Sequence, residues 1–190
     1  MKKLSIILIL VMMFSLCSCA KQEVIIEDDI YDLDISTFDG GCGFTPDLES
    51  IYQDIANIVI IATPTTSFKD AKHVILNDHG MPCEIEDAKD MISYASRHFK
   101  IEKVLSGDKE MTEIDIKEFA FTDGKTLKVR NGDKLFKAGH RYLLFAKKSE
   151  TEDYPYISWA TFDLAEEISP DNRKYEDYLK AKELFPEAFE

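Results

Sequence analysis

The apolar positions along the chain fall into a few separate rhythms. Leu4 to Leu16 is almost continuously apolar, broken only by Ser5 and Ser15. Leu48, Ile51, Tyr52 and Ile55 then recur at the spacing of one helix face, which is expected to pack on a core. Thr45 is a good N-cap, Pro46 suits the first helical position, and Asp47 and Glu49 favour the positive end of the dipole, so the helix is predicted to begin at Thr45. It gives way to Ile58-Val59-Ile60-Ile61-Ala62-Thr63, a β-branched run typical of a buried central strand.

Lys69 to Lys89 breaks the β pattern and reads as an insertion or long loop. From Ile92 onward the chain is rich in strands. Ile92 and Tyr94, then Phe99 and Ile101, alternate with polar residues, and the change of phase between the two pairs predicts a bulge. Val104 to Asp108 ends this strand in a turn. Ile114 and Ile116 alternate with Glu113, Asp115 and Lys117. Asp123-Gly124 and Asn131-Gly132 are hairpin signals. Tyr142 to Phe145 follows a turn at Lys137-Ala138-Gly139, and Tyr156 to Phe162 forms a last aromatic strand. Asn172 to Phe185 is predicted helical, with Tyr175, Tyr178, Leu179 and Leu184 available for packing. A helix, five or six strands with short turns, and a closing helix suit a mainly β fold built on a small barrel.

Composition narrows the function. The chain has 190 residues, 45% hydrophobic, with 36 acidic against 23 basic side chains and a formal charge of −13. Such a balance excludes nucleic acid as an expected partner, because affinity for phosphate backbones comes from clustered Lys and Arg. No second apolar run of about 20 residues follows the first, so the body of the chain is not a bundle of membrane spans.

The first apolar run carries an address. Met1-Lys2-Lys3 is a short basic start, and the run behind it is too short for a bilayer span but fits the core of a secretory signal peptide. Leu16-Cys17-Ser18-Cys19-Ala20 resembles a bacterial lipobox, which implies cleavage before Cys19 and acylation of that cysteine with fatty chains of the palmitate class. Cleavage before Cys17 would place the bulky Leu16 at the scissile bond. Two buried acyl chains suffice for stable anchoring, so the expected location is the extracytoplasmic face of a cell membrane, with the bilayer as first partner. Residues 1–18 are then the signal peptide, 19–44 an acidic flexible tether and 45–190 the barrel domain with its C-terminal helix. Glu23, Glu27, Asp28, Asp29, Asp32, Asp34 and Asp39 repel one another along the tether, and Val24-Ile25-Ile26 offers one short edge strand there. Their spacing is not that of a calcium loop.

Removal of Cys17 and acylation of Cys19 leave Cys42 and Cys83 as the remaining thiols of an exported chain. A disulfide closing that loop of some forty residues would contribute about 4 kcal/mol at most. Paired and free thiols both remain open. Cys83 also lies near His79 and a cluster of carboxylates, a grouping that suggests a metal site, but Gly80 and Pro82 oppose the helical turn such a pair needs. No metal and no cofactor is expected. No Ser-His-Asp order, phosphate loop or paired-carboxylate setting is visible, and His98 and His140 read as exposed strand positions beside Arg97 and Arg141.

The segments Ala56 to Ala62, Phe99 to Gly107 and Phe136 to Phe145 together resemble a recurring exported bacterial module. It is similar to the OB-type barrel of the tissue inhibitors of metalloproteinases and netrin modules. The resemblance implies a small OB-like barrel of five or six strands over roughly Leu48 to Phe162. That inhibitor family chelates the target zinc through a free amino-terminal Cys in a C-x-C start. Cys17-Ser18-Cys19 imitates the start, but lipidation of Cys19 would destroy it, so the inhibitory residues are not carried over. The expected function is a non-catalytic binding or interaction module at the cell envelope, with Tyr94, Tyr156 and Trp159 as a candidate ligand face beside Tyr154 and Phe162, and a peptide, a glycan or an envelope protein as the partner. A metalloprotease inhibitor and a metal-dependent envelope enzyme using His79 and Cys83 are the alternatives.

Overall fold

A computed structural model of the protein describes residues 33–39, 46–131, 133–149 and 155–190. The signal segment, Cys19, Val24 to Ile26, Cys42, Thr45, Gly132 and Tyr154 lie outside the described residues. Its strands are β1 (Asp34–Phe38), β2 (Ile58–Pro64), β3 (Lys72–Val74), β4 (Tyr94–Ser106), β5 (Glu113–Glu118), β6 (Ala120–Thr122), β7 (Thr126–Arg130), β8 (Tyr142–Lys147) and β9 (Tyr156–Asp163). A short helix α1 (Leu48–Ser50) runs into a π-helical turn (Ile51–Ile55), and α2 (Tyr175–Leu184) lies near the C-terminus. No helix among these residues is long and apolar enough to cross a membrane.

Five strands close on themselves in the order β2-β8-β9-β5-β4, with β4 returning to β2. Every neighbour is antiparallel except β5 and β9, which run parallel through Ile116–Tyr156 and Lys117–Ile157. The fold is therefore mainly β, an OB-like closed barrel with a helix before its first strand and another after its last. β4, at thirteen residues, is long enough to serve two partners. Its first half pairs with β3 and β5 and its second half with β2. The register to β2 slips between Val59 and Ile60 and again between Ile61 and Ala62, leaving Leu105 and Glu102 as extra residues on β4. Such bulges add the local twist that barrel closure needs.

The continuous apolar runs of β2 and β8 follow from burial on both faces. Ile58, Ile60 and Ala62 of β2, with Tyr142, Leu144 and Ala146 of β8, point into the barrel against Phe99, Ile101, Ile114 and Ile116. Val59, Ile61, Leu143 and Phe145 point the other way, beneath α1, α2 and the C-terminal turn. There Tyr52 meets Phe145 and Phe185 edge-on, at 6.3 and 5.3 Å between ring centres. The inner aromatics behave alike: Phe136 stands edge-on to Phe99 at 4.9 Å and to Tyr142 at 5.0 Å, stopping one end of the barrel.

That stopper is held by a buried ion pair. Arg97 and Glu118 face inward from β4 and β5, almost wholly excluded from solvent, with Nη1 3.5 Å from Oε2. Arg97 Nη2 donates to the Phe136 carbonyl at 3.1 Å, and the Phe136 N–H donates to Glu118 Oε1 at 2.7 Å. The two peptide groups that flank Phe136 are thus held by opposite charges, one through its N–H and the next through its carbonyl. Beyond it, a small sheet in the order β1-β7-β6 covers a separate core that includes Phe68, Ala95, Leu127, Val129 and Leu135. Next to this core His73 Nε2 donates to the Phe68 carbonyl at 3.0 Å, and Nδ1 lies 3.4 Å from the Thr122 N–H that it accepts. Burial, with the nearby Arg97 charge, holds the imidazole below its ordinary value, although the Phe68 carbonyl favours the cation.

Several expectations are corrected. The helix starts at Leu48, because the Asp47 carboxylate takes the capping bond from the Ser50 N–H at 2.8 Å; Pro46 precedes the helix. No bulge separates Tyr94 from Phe99: the β4–β5 register runs unbroken from Ala95–Glu118 to Lys100–Glu113. The inward row is Ala95, Arg97, Phe99 and Ile101, and what interrupts the apolar pattern is a buried arginine. Ile92 precedes the strand. Asn131 makes no hairpin, since β7 and β8 belong to different sheets; its N–H donates to Phe38 O and its side chain to Asp39 at 2.6 Å. Leu179 is 43% exposed, while Ala181 takes the buried place on α2 beside Tyr178. Within the stretch read as tether, Asp34–Phe38 forms a parallel edge strand on β7.

Candidate ligand-binding groove

Alternation along β4 and β5 sends Ser96, His98, Glu113, Asp115 and Lys117 to the outside of the barrel while their neighbours fill its core. Antiparallel pairing then sets Ser96 opposite Lys117, His98 opposite Asp115 and Lys100 opposite Glu113. β3 adds Lys72 opposite Ser96 from the other side. Where the start of β9 meets β5, a groove of about 370 Å³ opens on this face. Tyr94, Tyr156, Met111 and Pro155 wall it, with Lys72, Ser96, His98, Glu113 and Asp115 as its polar lining.

Tyr94 and Tyr156, two of the expected ligand-face aromatics, come together here although 62 positions separate them in the chain. The parallel β5–β9 pair is what brings Tyr156 to this groove, since it places Tyr156 beside Ile116, where its side chain packs in part on the barrel interior. Trp159 is 45% exposed farther along β9 and does not line the groove. Phe162 is a core residue beneath α2, with its ring 6.3 Å from that of Tyr178.

The charges are distributed unevenly. His98 Nδ1 lies 2.8 Å from Asp115 Oδ1, and its Nε2 is 3.6 Å from Glu113 Oε2. Both carboxylates are well exposed, so this end of the groove is acidic. Lys72 lines the other end, and just outside the lining the Lys117 ammonium sits 4.7 Å from the centre of the Tyr94 ring and 4.9 Å from that of Phe119. Burial, reinforced by the neighbouring Arg130, lowers the pKa of this lysine. Arg130 stacks on Phe119 from 4.4 Å and is neutralised by Asp133.

The face lacks an assembled catalytic pair. Among the described residues Ser96 makes no hydrogen bond to a histidine or lysine, and the one histidine present is engaged by carboxylates. His140 stands in the turn before β8 rather than in a strand, with Nδ1 2.9 Å from Asp163. His79 lies in a turn organised by Asn77, whose side chain accepts from the His79 and Met81 N–H groups. Cys83 is a half-buried free thiol, raised above its ordinary value by burial and by Asp87 and Glu84. Its expected partner Cys42 is outside the described residues. Among those residues no three His, Cys, Asp or Glu side chains converge as metal ligands do.

The sequence reading missed Lys72, Ser96, Glu113 and Asp115. Their signal was the strict alternation of β5, which marks outward positions without telling an empty face from a binding one. Comparison with protein-family models, with curated proteins and with solved structures finds no match for this chain.

Proposed function

We propose that this chain is a membrane-anchored bacterial lipoprotein, held through Cys19, whose barrel is a non-catalytic binding module at the cell envelope. The observation that carries the binding half is the groove beside β4 and β5 that both Tyr94 and Tyr156 line. Counted along the barrel these are its second and third strands, the face on which OB-type barrels take their ligands. Tyr156 supplies amphipathic contact area, Tyr94, 5% exposed, forms part of the floor, and the polar lining supplies orientation. The carboxylates of Glu113 and Asp115 oppose an oligonucleotide, which needs basic residues beside its stacking platforms. The anchoring half stands on the lipobox-like Leu16-Cys17-Ser18-Cys19.

The two halves are tested separately. A photoreactive amino acid at position 156 should give one discrete cross-linked species in cells, and the same group at position 179, exposed on α2, should not. Adducts of equal number and kind from both positions would overturn the groove as the binding face. Intact mass of the chain extracted from its native membrane should show a diacylated protein beginning at Cys19. A free chain beginning at Cys17 would overturn the anchor and make zinc-protease inhibition the next assay.

A further inference from the structure

The groove is basic at one end and acidic at the other. Ser96 stands in register between Lys72 and Lys117, and neither lysine meets a carboxylate within ion-pair distance among the described residues. Lys117 is the more telling, because it is half-buried against Tyr94 and Phe119 and its lowered pKa records what that burial costs. An anion brought to Ser96 would relieve that cost and also receive the serine hydroxyl. At the far end the lining holds Asp115 and Glu113 against His98, with Lys100 opposite Glu113 but outside the lining, and a cation would be favoured there.

Resting on the reading of this face as the ligand site, we propose that the groove takes an extended peptide segment bearing one carboxylate and one cationic group on the same side. The rows of β4 fix their separation. From Ser96 to the His98–Asp115 row is two residues, and to the Lys100–Glu113 row four, roughly 7 and 13 Å at strand rise. Side chains on one side of an extended peptide repeat at those spacings. A neutral glycan would leave both charged ends uncompensated. A uniformly anionic ligand would meet Glu113 and Asp115, and a uniformly cationic one Lys72 and Lys117. Tyr156, beside Ile116, lies between the two charged rows and suits the apolar part of a residue there.

Three end-capped, dye-labelled pentapeptides with a central tyrosine serve as probes, read by fluorescence anisotropy on the full chain in detergent. One carries glutamate first and lysine fifth, one glutamate at both positions, one lysine at both. The mixed peptide should bind about fivefold more tightly than either of the others, the scale of one exposed charge mismatch. Lys72→Glu, an exposed change, should transfer the preference to the doubly basic peptide. Ser96→Trp should fill the groove and abolish binding of all three; should that variant not fold, Lys72→Glu decides alone. Equal affinity for the three peptides, or a preference unmoved in Lys72→Glu, overturns the proposal. Absence of peptide binding alongside a discrete cross-link from position 156 overturns it while leaving the binding-module reading in place. Absence of both overturns the two together.

Discussion

Arg97→Met isolates the grip on the barrel stopper. In the wild type a fully buried guanidinium and a nearly buried carboxylate hold the backbone of one residue, with Arg97 on the Phe136 carbonyl and Glu118 on the Phe136 N–H. Methionine fills much of the arginine stem's volume, so little of the effect is cavity formation. The cost comes from a buried carboxylate left without its cation, about 3–5 kcal/mol when one partner of such a pair is removed. For a domain of this size each kcal/mol lowers Tm by about 2–4 °C, giving a fall of roughly 6–20 °C. Arg97→Met with Glu118→Gln should recover most of it. The glutamine oxygen keeps the bond from Phe136 N–H, and no charge is stranded. Urea unfolding followed by circular dichroism on the wild type, both single variants and the double variant closes the cycle. A coupling energy of at least about 2 kcal/mol is expected. A second signature is pH. In Arg97→Met alone the stranded carboxyl relaxes by taking up a proton, so its deficit should shrink as pH falls from 7 toward 5. Additive effects of the two changes, or a deficit independent of pH, would refute the clamp.

Three further predictions concern separate parts of the fold. His73 is held below its ordinary 6.5 in the folded chain, so the unfolded chain takes the proton first. Stability should be full above pH 6.5 and fall as pH drops below it, and urea midpoints between pH 7.5 and 5 should flatten in His73→Gln. Hydrogen bonds from Lys137 and Lys134 push Glu166 down to about 2 from its ordinary 4.5. Its contribution is therefore present above pH 4.5 and lost as pH falls toward 2. An NMR titration of its carboxyl should show that midpoint, returning toward 4.5 when both lysines become glutamine. Gly107, at φ +103°, would place a Cβ 2.8 Å from the Asn57 carbonyl. Gly107→Ala should cost at least about 2 kcal/mol in unfolding free energy, and an unchanged Tm would count against this close approach of the β4–β5 turn to β2.

Much of the barrel was legible because its chemistry is local. β2 and β8 carry unbroken apolar runs since one row faces the interior and the other the helices, and β5 alternates cleanly because only its inner face is covered. Asp123-Gly124 closes β6 onto β7, with Asp123 accepting from the Lys125 and Thr126 N–H groups at 2.8 Å. Legibility failed where a remote partner decides. Arg97 reads as an outward residue until Glu118 and the Phe136 peptide are brought to it, and its charge made a regular strand look broken. Asn131-Gly132 has the residues of a tight turn, yet the strand beyond belongs to another sheet. The candidate groove was half readable. Its aromatics stood out in the sequence, whereas its charged ends are ordinary solvated residues until register aligns Lys72, Ser96 and Lys117 in one row.

The parallel strand β1 has a mechanical consequence. Any pull on the chain from its amino-terminal side enters the described fold at Leu33 and travels along β1, loading its ladder with β7 lengthwise. Four of the five β1 side chains are exposed, so little apolar surface resists beyond Leu33 and Phe38. Short, poorly buried elements open at a small fraction of the free energy that unravels a closed core. Under tension β1 would part from β7 first, leaving the barrel, with its groove, still folded.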